Sequence, residues 1–143
     1  MAKLESLKGR KAFDRLFNEG RRISGRKAYA VFLCRAEIQH SSDKMRFAVI
    51  APKKCSKKAV VRNRIKRLLR ESIRLEAENH NESFLPHTIA FAWREKGIEH
   101  PGLIRLNDVQ PEVAFLLEKV VNHCRKKRTD SDEKNSNLHN KSI

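Results

Sequence analysis

The chain has 143 residues, 34% of them charged, with 32 Lys and Arg against 17 Asp and Glu for a formal net charge of +15. That length holds one domain with a modest core, and so large an excess of one sign points to a polyanionic partner, either nucleic acid or an anionic membrane surface. The longest apolar run, "AYAVFLC" at 28 to 34, is too short to span a bilayer, and the opening "MAKLESLKGRK" has no apolar leader core, so no membrane is expected and the protein is read as cytoplasmic.

In chain order, "KGRKAFDRLFNEG" places Phe13, Leu16 and Phe17 at i, i+3, i+4 ahead of Gly20, the pattern of a short helix closed by a C′ glycine. A brief strand around Arg22 to Ser24 follows. "RKAYAVFLCRAE" and "MRFAVIAP" are rich in aromatic and β-branched residues and are separated by the polar "IQHSSDK", which predicts an antiparallel hairpin. Alternation then puts Ala28, Ala30 and Phe32 on one strand face and Tyr29, Val31 and Leu33 on the other. In that hairpin Ala48 and Ile50 join the small-residue face, while Phe47, Val49 and Ala51 join the core.

Pro52 ends the second strand and Ser56 is positioned to cap the segment "KKAVVRNRIKRLLRES" at 57 to 72. At about 100° per residue, Val61, Ile65, Leu68, Leu69 and Ser72 share one arc, which Glu76 extends. Asn63, Lys66, Arg67, Arg70 and Arg74 share the opposite arc, and Arg62 and Arg64 mark the borders. Like charges at i,i+4 cost about 0.2–0.5 kcal/mol a pair. Burial of Ile65, Leu68 and Leu69 returns about 1.5–3 kcal/mol each, so the helix folds and keeps its positive face for a partner.

The helix fades in "AENHNESFLPH", and "TIAFAW" at 88 to 93 is a further strand with Trp93 in the core. Pro111 stands at an N1-like place ahead of "EVAFLLEKVVNHC", where Val113, Leu116, Leu117, Val120 and Cys124 form a buried stripe. Residues 125–143 lack apolar periodicity and are expected to be a disordered basic tail behind a domain of residues 1–124.

Cys34, Cys55 and Cys124 form no CxxC pair, so neither a disulfide framework nor a zinc ribbon is expected. Cys55 is read as an incidental small residue. His80, His87 and His123 are taken as surface residues, and no metal site is expected. No paired carboxylates, Ser/His/Asp set or phosphate-loop glycines are visible, whereas phosphodiester hydrolysis ordinarily uses carboxylate-held metal ions. The pattern is that of a binder without catalytic residues.

Within this order of elements, "RNRIKRLLRES" after "KKCSKKAVV" resembles the signature of the protein subunit of bacterial ribonuclease P, with weaker agreement in "AFDRLFNEGRRISGRKAYAVFL". The resemblance spans roughly residues 4 to 125. It implies an α+β fold, a two-layer α/β sandwich in the order α-β-β-β-α-β-α, with a left-handed β-α-β crossover through the basic helix. It further implies a subunit of an endoribonuclease whose chemistry is carried by a catalytic RNA with magnesium, the protein itself holding no cofactor. The partners would be that RNA and the 5′ leader of precursor tRNA. Carried over position by position, RNA contacts fall at Lys53, Lys54, Arg62, Asn63, Arg64, Lys66, Arg67 and Arg70. The leader cleft falls at Phe13, Phe17 and Phe32, where aromatic faces stack on bases without demanding a sequence. The competing readings are a structural RNA-binding protein, such as a small ribosomal component, and a helix-turn-helix DNA binder. The latter is disfavoured because no short helix and glycine turn precede residue 57.

Overall fold

The computed structural model describes residues 3–35 and 44–141, with side chains up to residue 127. Its elements are β1 (Leu4–Ser6), α1 (Arg10–Glu19), β2 (Arg21–Ser24), β3 (Ala28–Leu33), β4 (Met45–Ile50), α2 (Ala59–Ala77), β5 (Thr88–Trp93) and α3 (Leu106–Lys141). Single 3-10 turns at Glu82–Phe84 and Pro101–Leu103 flank β5. The mixed α/β class and the helix and strand order match expectation, with β1 as an added short strand beside β4.

The sheet runs β1-β4-β5-β3-β2. β5 is buried along its whole length and lies between its neighbours, antiparallel to β3 and parallel to β4. The expected β3–β4 hairpin is therefore absent. A strand as apolar as "TIAFAW" needs a neighbour on each side and cover on each face, and this outweighs local pairing. Because β4 and β5 are parallel neighbours, their connection is a crossover, and α2 fills it. Of the polar link expected to make the hairpin turn, residues 38–43 lie outside the described residues.

Register sorts the side chains into two clusters. On one face Ala28 and Ala30 stand opposite Trp93 and Phe91, and Phe32 and Phe47 flank Ile89, small residues making room for large ones. α2 and α3 cover this face, Val61, Ile65, Leu69 and Ile73 meeting Val113, Leu116, Leu117 and Val120 in one core. On the other face Val31, Leu33, Ala48 and Ala90 pack under Leu16 of α1. β3 thus presents its two faces the opposite way from the hairpin reading.

Local expectations were displaced in four places. Ser56 sits two residues before the N-cap, Lys58, where its Oγ accepts from the Lys58 amide at 3.2 Å. Pro111 lies inside α3, since the Asp108 carboxylate accepts from the Arg105 amide at 2.9 Å and starts the helix a turn earlier. Residues 125–141 continue α3 where a disordered tail was expected. The segment holds no Gly or Pro to break the helix. Finally, Cys34 and Cys124, 90 residues apart in sequence, are joined as a disulfide with their Cα atoms 5.4 Å apart. Both lie in the core between β3 and α3, a meeting that sequence spacing does not reveal.

Gly20 closes α1, but for a reason other than a left-handed turn: its φ is −73°. A Cβ there would strike the Leu16 carbonyl oxygen and lie 2.9 Å from Val31 Cγ1 and 3.2 Å from the Phe32 carbonyl oxygen. The helix end and β3 are that close. Gly20→Ala is expected to cost about 1–3 kcal/mol of stability through overpacking, read as a lower midpoint in urea denaturation with an unchanged m-value.

Candidate nucleic-acid interface

The outer arc of α2 is as its periodicity predicts. Asn63, Arg67, Arg70 and Arg74 are exposed and Lys66 is half-buried, above a stripe in which Val61, Ile65, Leu69 and Ile73 are buried. Arg74 is ion-paired with Glu71 at 3.7 Å. Lys66, Arg67 and Arg70 make no ion pair with any described residue, so their charge is open to a partner. The two border arginines differ. Arg62 donates through Nη1 to the Ser56 carbonyl at 3.2 Å, and Arg64 through Nε to the Ile104 carbonyl at 2.9 Å. These bonds fasten the entrance of α2 and the chain after β5, and each guanidinium keeps further donors for phosphate.

Across the sheet, α1 covers only part of its face. Phe13, Tyr29 and Ile50 are the half-buried rim of the α1 cluster, and Phe17, one turn beyond Phe13, is 44% exposed. The Arg22 guanidinium carbon stands 3.9 Å above the Tyr29 ring. Aromatic surface, alanine floor and one cation therefore sit together beside α1, the combination that holds single-stranded nucleic acid.

Phe32 does not belong to this cleft. It is 1% exposed on the opposite face, edge-on to His123 with ring centroids 5.5 Å apart, and no base can reach it. Tyr29 and Arg22 take its place. The signal for this lay in β5, whose Ala90 and Ala92 alternate with Ile89, Phe91 and Trp93. The small-residue face of β5 carries α1, and Tyr29 pairs with Ala92.

Lys53 and Lys54 are exposed in the link between β4 and α2, at the strand ends between the two surfaces. Cys55 beside them is buried, its thiol donating to the Trp93 carbonyl at 3.2 Å. Burial, and secondarily Glu95, push its pKa up, which makes it a packing residue. Two histidines expected at the surface are half-buried. His87 Nδ1 lies 2.7 Å from Thr88 Oγ1, and burial with Arg46, Arg35 and Arg15 holds the ring below its ordinary pKa. His123 is held down by burial with Arg21 and Lys126. Among the described residues no group of three or more metal-ligating side chains forms, and no helix is long and apolar enough to cross a membrane.

Residues 1–99 match the family described as Ribonuclease P. A relative in Microcystis aeruginosa, "Ribonuclease P protein component", is 35% identical over 107 residues, 75% of this chain and 81% of that protein. Among solved structures, the Staphylococcus aureus RNase P protein aligns over 79% of this chain and 92% of its own at 22% identity, with a TM-score of 0.58. The Thermotoga maritima RNase P protein aligns over 80% and 96% at 23% identity, with a TM-score of 0.58. At those identities the two structures speak for the fold.

The division of labour on α2 is open to a stability test. Arg64→Ala removes a bond from a charged donor and is expected to cost about 1.5 kcal/mol, the low end for such a bond at a half-exposed site. Arg67→Ala, on the open arc, is expected to stay within about 0.5 kcal/mol of wild type. Chemical denaturation of both variants measures the difference.

Proposed function

We propose, from the premise that this chain belongs to the ribonuclease P protein family, that it joins a catalytic RNA and the 5′ leader of precursor tRNA in an endoribonuclease complex. The observation that carries this reading is the presence of two unlike surfaces on opposite faces of one sheet. The outer arc of α2 offers Lys66, Arg67 and Arg70 without an ion pair to any described residue and without an aromatic among them, which suits the backbone of a folded RNA. The cleft beside α1 offers Phe13 and Tyr29, with Arg22 over the Tyr29 ring and Phe17 exposed one helical turn from Phe13, which suits an extended strand whose bases stack. A purely structural RNA-binding protein has use for the first surface and none for the second.

The reading gives the protein no bond-breaking step. Hydrolysis and its magnesium are assigned to the RNA, while the protein lessens repulsion between two polyanions and holds the leader in place.

Binding of tRNA with and without a single-stranded 5′ extension, measured over a salt series, tests both surfaces. Tyr29→Ala or Phe17→Ala is expected to weaken the extended RNA by about 1–3 kcal/mol and leave the mature form unchanged. Arg67→Ala is expected to weaken both and to flatten the slope of log K against log salt by roughly 0.7–0.9. Equal losses for the two RNAs in the cleft variants favour the purely structural binder.

A further inference from the structure

We propose that Glu112, on α3, is a positioning residue for the cleft beside α1: by holding the turn between β2 and β3 it keeps Arg22 over the Tyr29 ring. This role rests on the cleft's taking a single-stranded 5′ extension, and it sets where the outer edge of that cleft stands. β2 is the last strand of the sheet and pairs with β3 alone. Arg22 reaches over from that strand, its guanidinium carbon 3.9 Å from the centre of the Tyr29 ring. Tyr29 itself pairs with Ser24, the last residue of β2 before the turn. An edge strand has no second neighbour to fix it, so whatever holds the turn holds the pair.

Residues 25–27 are tied down from two directions. On the sheet side the Gly25 amide donates to the Ala28 carbonyl at 2.8 Å, and the Lys27 carbonyl accepts from the Arg94 amide at 2.7 Å. The Lys27 ammonium is paired with Glu95 at 3.4 Å. From α3, Glu112 reaches the same turn across 85 residues of sequence, its Oε1 accepting from the Lys27 amide at 3.2 Å, a bond strengthened by the carboxylate charge. Its Oε2 is buried, without a hydrogen-bond partner among the described residues. That oxygen stands 2.6 Å from where a Cβ on Gly25 would lie. Gly25 does not have a positive φ, so its missing side chain serves space and not backbone conformation. Glycine and glutamate form one device: Gly25 leaves room for the carboxylate, and the carboxylate fastens Lys27. A methyl at residue 25 would push the carboxylate, the far end of a flexible side chain, off the Lys27 amide before it moved the backbone.

Two readouts on the full chain test this role: binding of tRNA with and without a single-stranded 5′ extension, and the ring signals of Tyr29, the only tyrosine in the sequence. Glu112→Ala is expected to weaken the extended RNA about fivefold, the worth of an exposed cation–π contact, and to leave the mature form within about twofold. In the free protein it is expected to abolish the nuclear Overhauser contact between Arg22 and the Tyr29 ring. Glu112→Gln keeps an acceptor for the Lys27 amide and is expected to preserve both readouts. Gly25→Ala is expected to reproduce Glu112→Ala, and the double variant to lose no more than either alone, since both remove the same bond. Gln110→Ala, which frees α3 from Glu76 of α2 instead, is expected to change neither readout, which separates positioning from a general loosening of α3. Tyr29→Ala in the same assay tests the cleft itself. If it weakens both RNAs equally, the cleft is not the site of the 5′ extension, and the Arg22 contact in the free protein still decides whether Glu112 holds the pair. The proposal is overturned if Glu112→Ala keeps that contact, if the losses in Glu112→Ala and Gly25→Ala add, or if Gln110→Ala matches them.

Discussion

Most of the structure depends on the apolar stripe of α2. Val61, Ile65, Leu69 and Ile73 are fully buried between the sheet and α3, at about 1.5–3 kcal/mol each. That burial exceeds the repulsion among the arginines and lysines on the same helix, about 0.2–0.5 kcal/mol for each close pair. It also fixes the crossover between β4 and β5 and gives α3 a surface to lie on. The same contact that builds the core turns the positive charge outward. Charge and core thus coexist in one segment because they occupy opposite sides of one helix.

β5 is the second determinant. As the buried central strand it separates β3 from β4 and sets which side chains share a face. Its bulky residues meet α2 and α3, and its alanines meet α1. The cleft of Phe13, Tyr29 and Ile50 exists because α1 covers only part of that alanine face. The open charge of α2 and the aromatic cleft beside α1 therefore come to lie on opposite sides of the sheet, with Lys53 and Lys54 at the strand ends.

What could be read from sequence was what depends on helical period or on local composition. The α2 arcs, β5 to the residue, the α3 stripe and the core position of Trp93 all follow from such local rules. What escaped was set by contacts distant in the chain. Strand alternation separated Phe32 from Tyr29 but could not say which faced the cleft, since that depends on β5 standing between β3 and β4. The Cys34–Cys124 pair likewise comes together only when the sheet is complete. Gly20 was assigned to the right place for the wrong cause, because the approach of β3 to the end of α1 is a tertiary fact.

The central claim is that one sheet presents two RNA surfaces of different chemistry on its two faces. Backbone amide shifts of the labelled protein, followed while RNA is added, test it most directly. A short unstructured oligoribonucleotide is expected to move Phe13, Phe17, Tyr29 and Ile50 first. A folded RNA without a single-stranded end is expected to move Asn63, Lys66, Arg67 and Arg70 and to leave the cleft unchanged. If both RNAs perturb the same residues in the same order, the protein has one electrostatic surface and the account of two faces is wrong.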